Sequence, residues 1–275
     1  MDIQQAIFTS ADRGQIKGYQ LVAKSDNIDR NIARELCRWS PSHIGNDDPG
    51  NWTINYYPIS DEFVAVARTV LGGPEYSGRG GSQLVTMTAV LSNEQFAAYG
   101  NNAMLVAHTA VALGWLRLPI EMTSRLEVFK LPSYPLATKP EYQEFLEEHT
   151  GEYSSLVWGS PREELFNKDS NTNLPSEISE LLKHRKRLAI IGASSPTEMV
   201  EILISQLSIQ ARREFSFTTG LPPAIHRPFQ AHFRPYCNPI QNQILKSEGV
   251  TVVQLLSESN FSSGVLRGIS QARQC

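Results

Sequence analysis

The chain has 275 residues and a mass of 30.7 kDa, with 41% hydrophobic and 19% charged residues, which excludes the polar, charge-rich balance of a disordered chain. A net charge of −3 and a pI near 6.1 leave no overall basic field, so neither nucleic acid nor an anionic membrane is an expected partner. Cys37, Cys237 and Cys275 are odd in number and lack CxxC or Cys/His ligand spacing, which argues against a disulfide framework or structural zinc and for a reducing, cytoplasmic setting.

The opening "IQQAIFTSADRGQIKGYQLVAKSD" has two extended segments, Ile3 to Thr9 and Tyr19 to Ala23. The polar, glycine-containing stretch between them predicts a hairpin with a longer than minimal loop. No signal peptide is recognisable there, since a basic n-region and an apolar h-region are both missing. Ile28, Ile32, Leu36 and Trp39 then recur at helical spacing, and a helix is predicted over Asn27 to Trp39 with Ser25 or Asp26 as N-cap.

"NYYPISDEFVAVARTVLGG" reads as strand, Asp-Glu turn and strand, and "SQLVTMTAVLS" as a further β-branched strand. Ser92 and Gln95 have capping-box spacing ahead of a short helix ending at Gly100. The apolar run from Ala103 is read as a helix with Leu105, Val106, Thr109, Ala110 and Leu113 on one face. Broken by His108, Gly114 and Arg117, it is too short to span a bilayer.

Residues 132 to 175 are rich in Pro, Ser, Asn and charge, and are read as a connector with one helix around Glu141 to His149. Beyond them come a helix ending in "KHRKR", whose cations suit a helix C-terminus, and a buried strand, Leu188 to Ile191. A helix capped by Ser195 with Pro196 at its first position is predicted to run to about Arg212. Phe215 to Thr218, Phe229 to Phe233 and Thr251 to Leu255 read as strands. The expected fold class is α+β, with mixed or antiparallel sheets and packed helices in two closely associated units. These are an N-terminal domain over 1–131 and an α/β-like domain over 176–275, flanking the 132–175 connector.

Catalytic signatures fail one by one. "GGPEYSGRGG" has the glycines of a phosphate loop but no Lys-Ser/Thr pair, and a strand rather than a helix follows it. It is read as a turn leading into the strand, with Arg79, beside Gly80, anchoring a carboxylate or carbonyl, or offering an exposed contact. "IIGASSPTEM" has strand, glycine and helix start in dinucleotide-fold order but only one fingerprint glycine; an anion at the Ser195 helix start is the functional alternative to a plain cap. The six histidines form no HExxH or HxH pair and no GxSxG elbow exists, so neither metal nor cofactor is expected and no catalytic residue is assigned. The loop in "RREFSFTTGLPPAIHRPFQAHF" carries His226 and Arg227 and is either a partner-facing segment or a structural hairpin connection.

"QQAIFTSADRGQIKGYQLVAKSDNI", "SGRGGSQLVTMTAVLS", "QFAAYGNNAMLV" and "RREFSFTTGLP" resemble, in that order, the N-terminal (type two) and middle regions of GTPase-associated protein one. The resemblance covers about the first 130 residues and, more weakly, the later half. It implies an adaptor component of bacterial conflict (defence) systems, working with a GTPase or an AAA-type ATPase, without assigned catalytic residues. It also implies a His a few residues into the strand after Gly-Arg-Gly, where this chain reads Ser82-Gln83-Leu84-Val85-Thr86-Met87-Thr88, and a further C-terminal region in larger members, so a short form or a fragment is expected. A non-catalytic protein-binding role is therefore the expectation. The rival is a hydrolase or nucleotide-binding enzyme with a site near Arg79, His108 and the 192–198 helix start.

Overall fold

A computed structural model describes residues 1–13, 16–43, 52–74, 82–119, 123–133, 178, 180–182, 184, 186–192, 195–224, 226–234 and 239–255. The expected connector, the helix around Glu141 to His149, and Arg79 and Gly80 lie outside these residues. The fold is mixed α/β, as the α+β reading anticipated: one ten-stranded mixed sheet carries helices on both faces.

The first strands are β1 (Asp2–Arg13), β2 (Ile16–Lys24), β3 (Trp52–Pro58), β4 (Phe63–Pro74), β5 (Ser82–Ser92) and the short β6 (Phe129–Lys130). The later ones are β7 (Leu188–Ile191), β8 (Phe217–Thr218), β9 (Ala231–Arg234) and β10 (Thr251–Gln254). Their order is β10-β7-β9-β8-β3-β4-β5-β1-β2, with β6 against β1. From β3 to β2 every neighbour is antiparallel, whereas β10, β7, β9 and β8 run parallel to one another. The sheet passes from the first group to the second through β3 and β8, where Asn55 faces Thr218 and Tyr56 faces Phe217.

The first hairpin is tighter than the sequence suggested. Its polar residues lie within the strands, where Asp12 stands opposite Lys17 in the register and pairs with it at 3.0 Å. A cross-strand ion pair satisfies both groups in an extended ladder, so polarity there marked an exposed edge and not a loop.

Helix α1 (Arg30–Trp39) starts later than predicted, because Asp29 is its N-cap and accepts from the Ile32 amide at 2.8 Å. Ser25 instead accepts from the Gln5 amide at 3.0 Å. Helix α2 (Asn93–Ala97) carries the full capping box, with both the Gln95 N–H to Ser92 Oγ and the Ser92 N–H to Gln95 Oε1 bonds formed. Helix α3 (Ala103–Ala112) is capped by Asn102 and is buried at Met104, Val106, Ala107, Thr109 and Ala110. Such a helix has little polar face to show water and belongs inside.

In the second half the predicted single helix is two, α4 (Pro196–Gln206) and α5 (Ile209–Glu214). The break follows from Ser208, whose side chain accepts from the Ala211 amide at 3.2 Å and so starts a new helix. Helix α6 (Pro239–Ser247) precedes β10.

Strand alternation distributes two apolar layers. Val64, Val66, Val85 and Met87 share a core with Phe96, Met104, Val106 and Leu203, so α2, α3 and α4 cover this face. Ala65, Ala67 and Val90 share another with Ile32, Leu36 and Trp39 of α1, and Ala189 and Ile191 pack with Leu245 of α6. Each large side chain sealed this way contributes roughly 1.5–3 kcal/mol.

Candidate functional site

The loop between β8 and β9 begins with Thr218, whose hydroxyl accepts from the Leu221 amide at 3.0 Å. Pro222 and Pro223 then stiffen the chain, and the Arg227 amide closes a four-residue turn on the Ala224 carbonyl at 2.9 Å. This turn leaves His226 exposed and sends Arg227 inward, to 4% exposure. Two residues on, Phe229 is fully buried and meets Trp39 of α1 edge-on at 4.9 Å, while Trp39 stacks nearly parallel on Tyr57 of β3 at 4.7 Å. The aromatic trio fixes the loop against the α1 face of the sheet.

Arg227 Nη1 lies 3.3 Å from His226 Nε2, and its Nε is buried without a hydrogen-bond partner. Burial pulls the guanidinium down to about 10, which leaves it a cation at neutral pH. His226 is pushed below its ordinary value, first by burial and then by the charges of Arg227 and Arg38, so its Nε2 accepts from Arg227. Arg38, half exposed on α1, pairs with Glu35 at 3.3 Å.

Deeper along β9 sits His232, fully buried and edge-on to Phe229 at 5.7 Å. Desolvation, joined by the charges of Arg187, Arg227 and Arg234, lowers it to about 3, against a small opposing effect of the Leu221 backbone. Neither ring nitrogen makes a hydrogen bond of good geometry. Arg187 faces Glu248 at 3.7 Å. Strand β9 is flanked by β7 and β8, and both His232 and Arg234 are buried.

The other expected elements fall elsewhere. Ser195 caps α4 through the Glu198 amide at 3.4 Å. Gly192 has φ +91°, and a Cβ there would stand 2.7 Å from the Leu255 carbonyl oxygen, so the glycine admits the chain leaving β10. His108 of α3 meets Glu201 of α4 at 3.2 Å, six residues and so about 9 Å along the axis from Ser195. Ser195 and His226–Arg227 lie on separate loops, after β7 and before β9 respectively.

A cleft of about 590 Å³ opens where the end of β3 meets α5. Leu182, Leu207 and Phe215 form apolar wall, and Asp61, Arg213 and Glu214 supply charge. Arg213 is tied twice to the β3–β4 hairpin: its Nη2 donates to the Asp61 carbonyl at 2.7 Å, and its own carbonyl accepts from Tyr56 Oη at 2.6 Å. Among the described residues no group of three or more His, Cys, Asp or Glu is placed to hold a metal ion, and no helix is long and apolar enough to cross a membrane.

Sheet, helices and cleft define a mixed α/β protein whose antiparallel N-terminal meander is extended by a parallel C-terminal section. Within that class, residues 2–115, from β1 to just beyond α3, match the family model described as GTPase-associated protein 1, N-terminal domain type 2. No curated protein and no solved structure matches the chain.

Proposed function

We propose that the protein is a non-catalytic, protein-binding adaptor of a bacterial NTP-dependent conflict system and that its partner is a GTPase, with an AAA-type ATPase as the related alternative. The observation that carries this reading is the match of residues 2–115 to a family described by its association with a GTPase. The geometry is compatible with it: the wide cleft beside α5 mixes apolar wall with charge, in the manner of a protein-contact surface. Among the described residues of the rival enzyme site, Ser195 caps α4 and His108 faces Glu201, contacts that a structural role accounts for.

The test is an affinity capture from the native host with the full chain as bait, in the presence of GDP, GTP or ATP, read by mass spectrometry. Recovery of a GTP-binding protein in a nucleotide-dependent manner is the expected result. A bait that captures no NTP-binding protein, together with a direct rise in its own melting temperature on adding nucleotide, would overturn the adaptor reading in favour of a nucleotide-binding enzyme.

A further inference from the structure

Among the described residues, several buried side-chain atoms around β7 and β9 make no hydrogen bond of good geometry, including Nε and Nη2 of Arg187, Nε of Arg227, both ring nitrogens of His232 and Oε2 of Glu248. Buried polar atoms are ordinarily satisfied, so such a concentration calls for a reason. Arg187 and Glu248 offset one another in charge at 3.7 Å, and His232 is neutral. Arg227 is different. Among the described residues no carboxylate lies within ion-pair distance of its guanidinium, whose only hydrogen-bond partner among them is the neutral ring of His226.

A buried cation with no counter-charge among the described residues is costly, and a leucine or methionine would fill the same space without that cost. What a guanidinium offers in return is a planar fork that matches an oxyanion with two parallel N–H donors. The surroundings suit that use. His226, whose Nε2 lies 3.3 Å from Arg227 Nη1, is exposed; because its Nε2 accepts from Arg227, the ring proton resides on Nδ1, which is a further donor. Arg38 adds positive potential at the rim, although Glu35 beside it moderates that contribution.

We infer that Arg227 and His226, with Arg38 at the rim, form a receptor for a small oxyanion, a phosphate or a carboxylate group, that inserts from the surface at His226. The anion supplies the charge that Arg227 lacks and engages its fork in place of, or together with, the imidazole. This assignment is independent of which protein partner the chain binds. The competing explanation is a purely structural arginine buried in the loop between β8 and β9.

The full chain is titrated with inorganic phosphate, and in parallel with acetate, against sodium chloride of equal ionic strength. The melting temperature and the side-chain Nε–H resonance of Arg227 are followed together. At saturation at least one anion raises the melting temperature by on the order of 2–4 °C beyond chloride and moves the Arg227 resonance, and Arg227→Met abolishes the rise. His226→Ala, at an exposed position, raises the half-saturating concentration several-fold and keeps the test decisive if Arg227→Met does not fold. A response to phosphate alone assigns a phosphate-type ligand; a response to acetate, alone or with phosphate, assigns a site open to a carboxylate. The inference is overturned if neither anion exceeds chloride, if the rise survives in Arg227→Met, or if the melting temperature moves while the Arg227 resonance stays fixed.

Discussion

The Thr218 hydroxyl donates to Asn55 Oδ1 at 2.6 Å, across the two-residue ladder that joins the two halves of the sheet. Asn55 in turn donates to Thr53 and Thr69, and Thr69 meets Thr86 at 2.9 Å, so a polar chain runs through the buried interior of four strands, β8, β3, β4 and β5. Groups in such a network are costly to leave half satisfied. They also tie the parallel section to the meander more firmly than two backbone rungs alone would do.

Thr218→Val removes that donor, leaving Asn55 Oδ1 with only the longer 3.3 Å contact from the Thr53 hydroxyl, and takes the acceptor from the Leu221 amide. The expected loss is about 1–3 kcal/mol, read as a lower urea midpoint with an unchanged slope. A loss below about 0.5 kcal/mol would show that the network does not secure the joint.

Gly192 and Gly18 provide a matched pair. Both have positive φ, +91° and +113°, but an added Cβ meets the Leu255 carbonyl oxygen at 2.7 Å in the first and nothing within 4 Å in the second. Alanine at either position carries backbone strain on the order of 1–3 kcal/mol, and Gly192→Ala carries the collision as well. Thermal unfolding of the two variants should therefore rank Gly192→Ala clearly below Gly18→Ala. Equal midpoints would mean that the close approach of the chain after β10 is unimportant.

His232 sets a pH dependence. In the unfolded chain it titrates near 6.5, whereas in the fold desolvation and the charges of Arg187, Arg227 and Arg234 hold it near 3. Below pH 6.5 the unfolded state binds a proton that the folded state refuses, so stability falls as the pH drops from about 6.5 towards 3. Between pH 7 and 5.5, above most carboxylate titration, this group costs about 1 kcal/mol, and His226 shifts in the same sense. Urea unfolding at the two pH values should show a smaller difference in His232→Gln than in the parent chain; identical differences would mean that His232 does not resist protonation.

Local signals were legible. The Ser92–Gln95 capping box, the strand Leu188–Ile191 and the Ser195–Pro196 helix start appear where residue chemistry alone placed them, because the caps join residues three apart and the strand is a continuous apolar run. Longer-range facts were hidden. Nothing in "FSFTT" announces that two of its residues bridge β9 and β3, since a two-residue strand has no period to read. Asp29 displaced Ser25 as the cap because Gln5, twenty residues upstream, claims the serine. Of the candidate site, His226 and Arg227 were picked out from their loop, but the burial of Arg227 and of His232 is set by tertiary packing that no local pattern announces.

The β3–β8 pairing also distinguishes a unit of descent from a unit of folding. A piece ending at residue 115, where the family match stops, would keep β3 but lose the strand that satisfies its outer edge. It would also lose Phe217, whose ring stands 5.9 Å from Tyr56. That edge would then be an open template for whatever strand came near it. In this chain the N-terminal segment therefore needs β8, or a substitute strand, to cover the outer edge of β3.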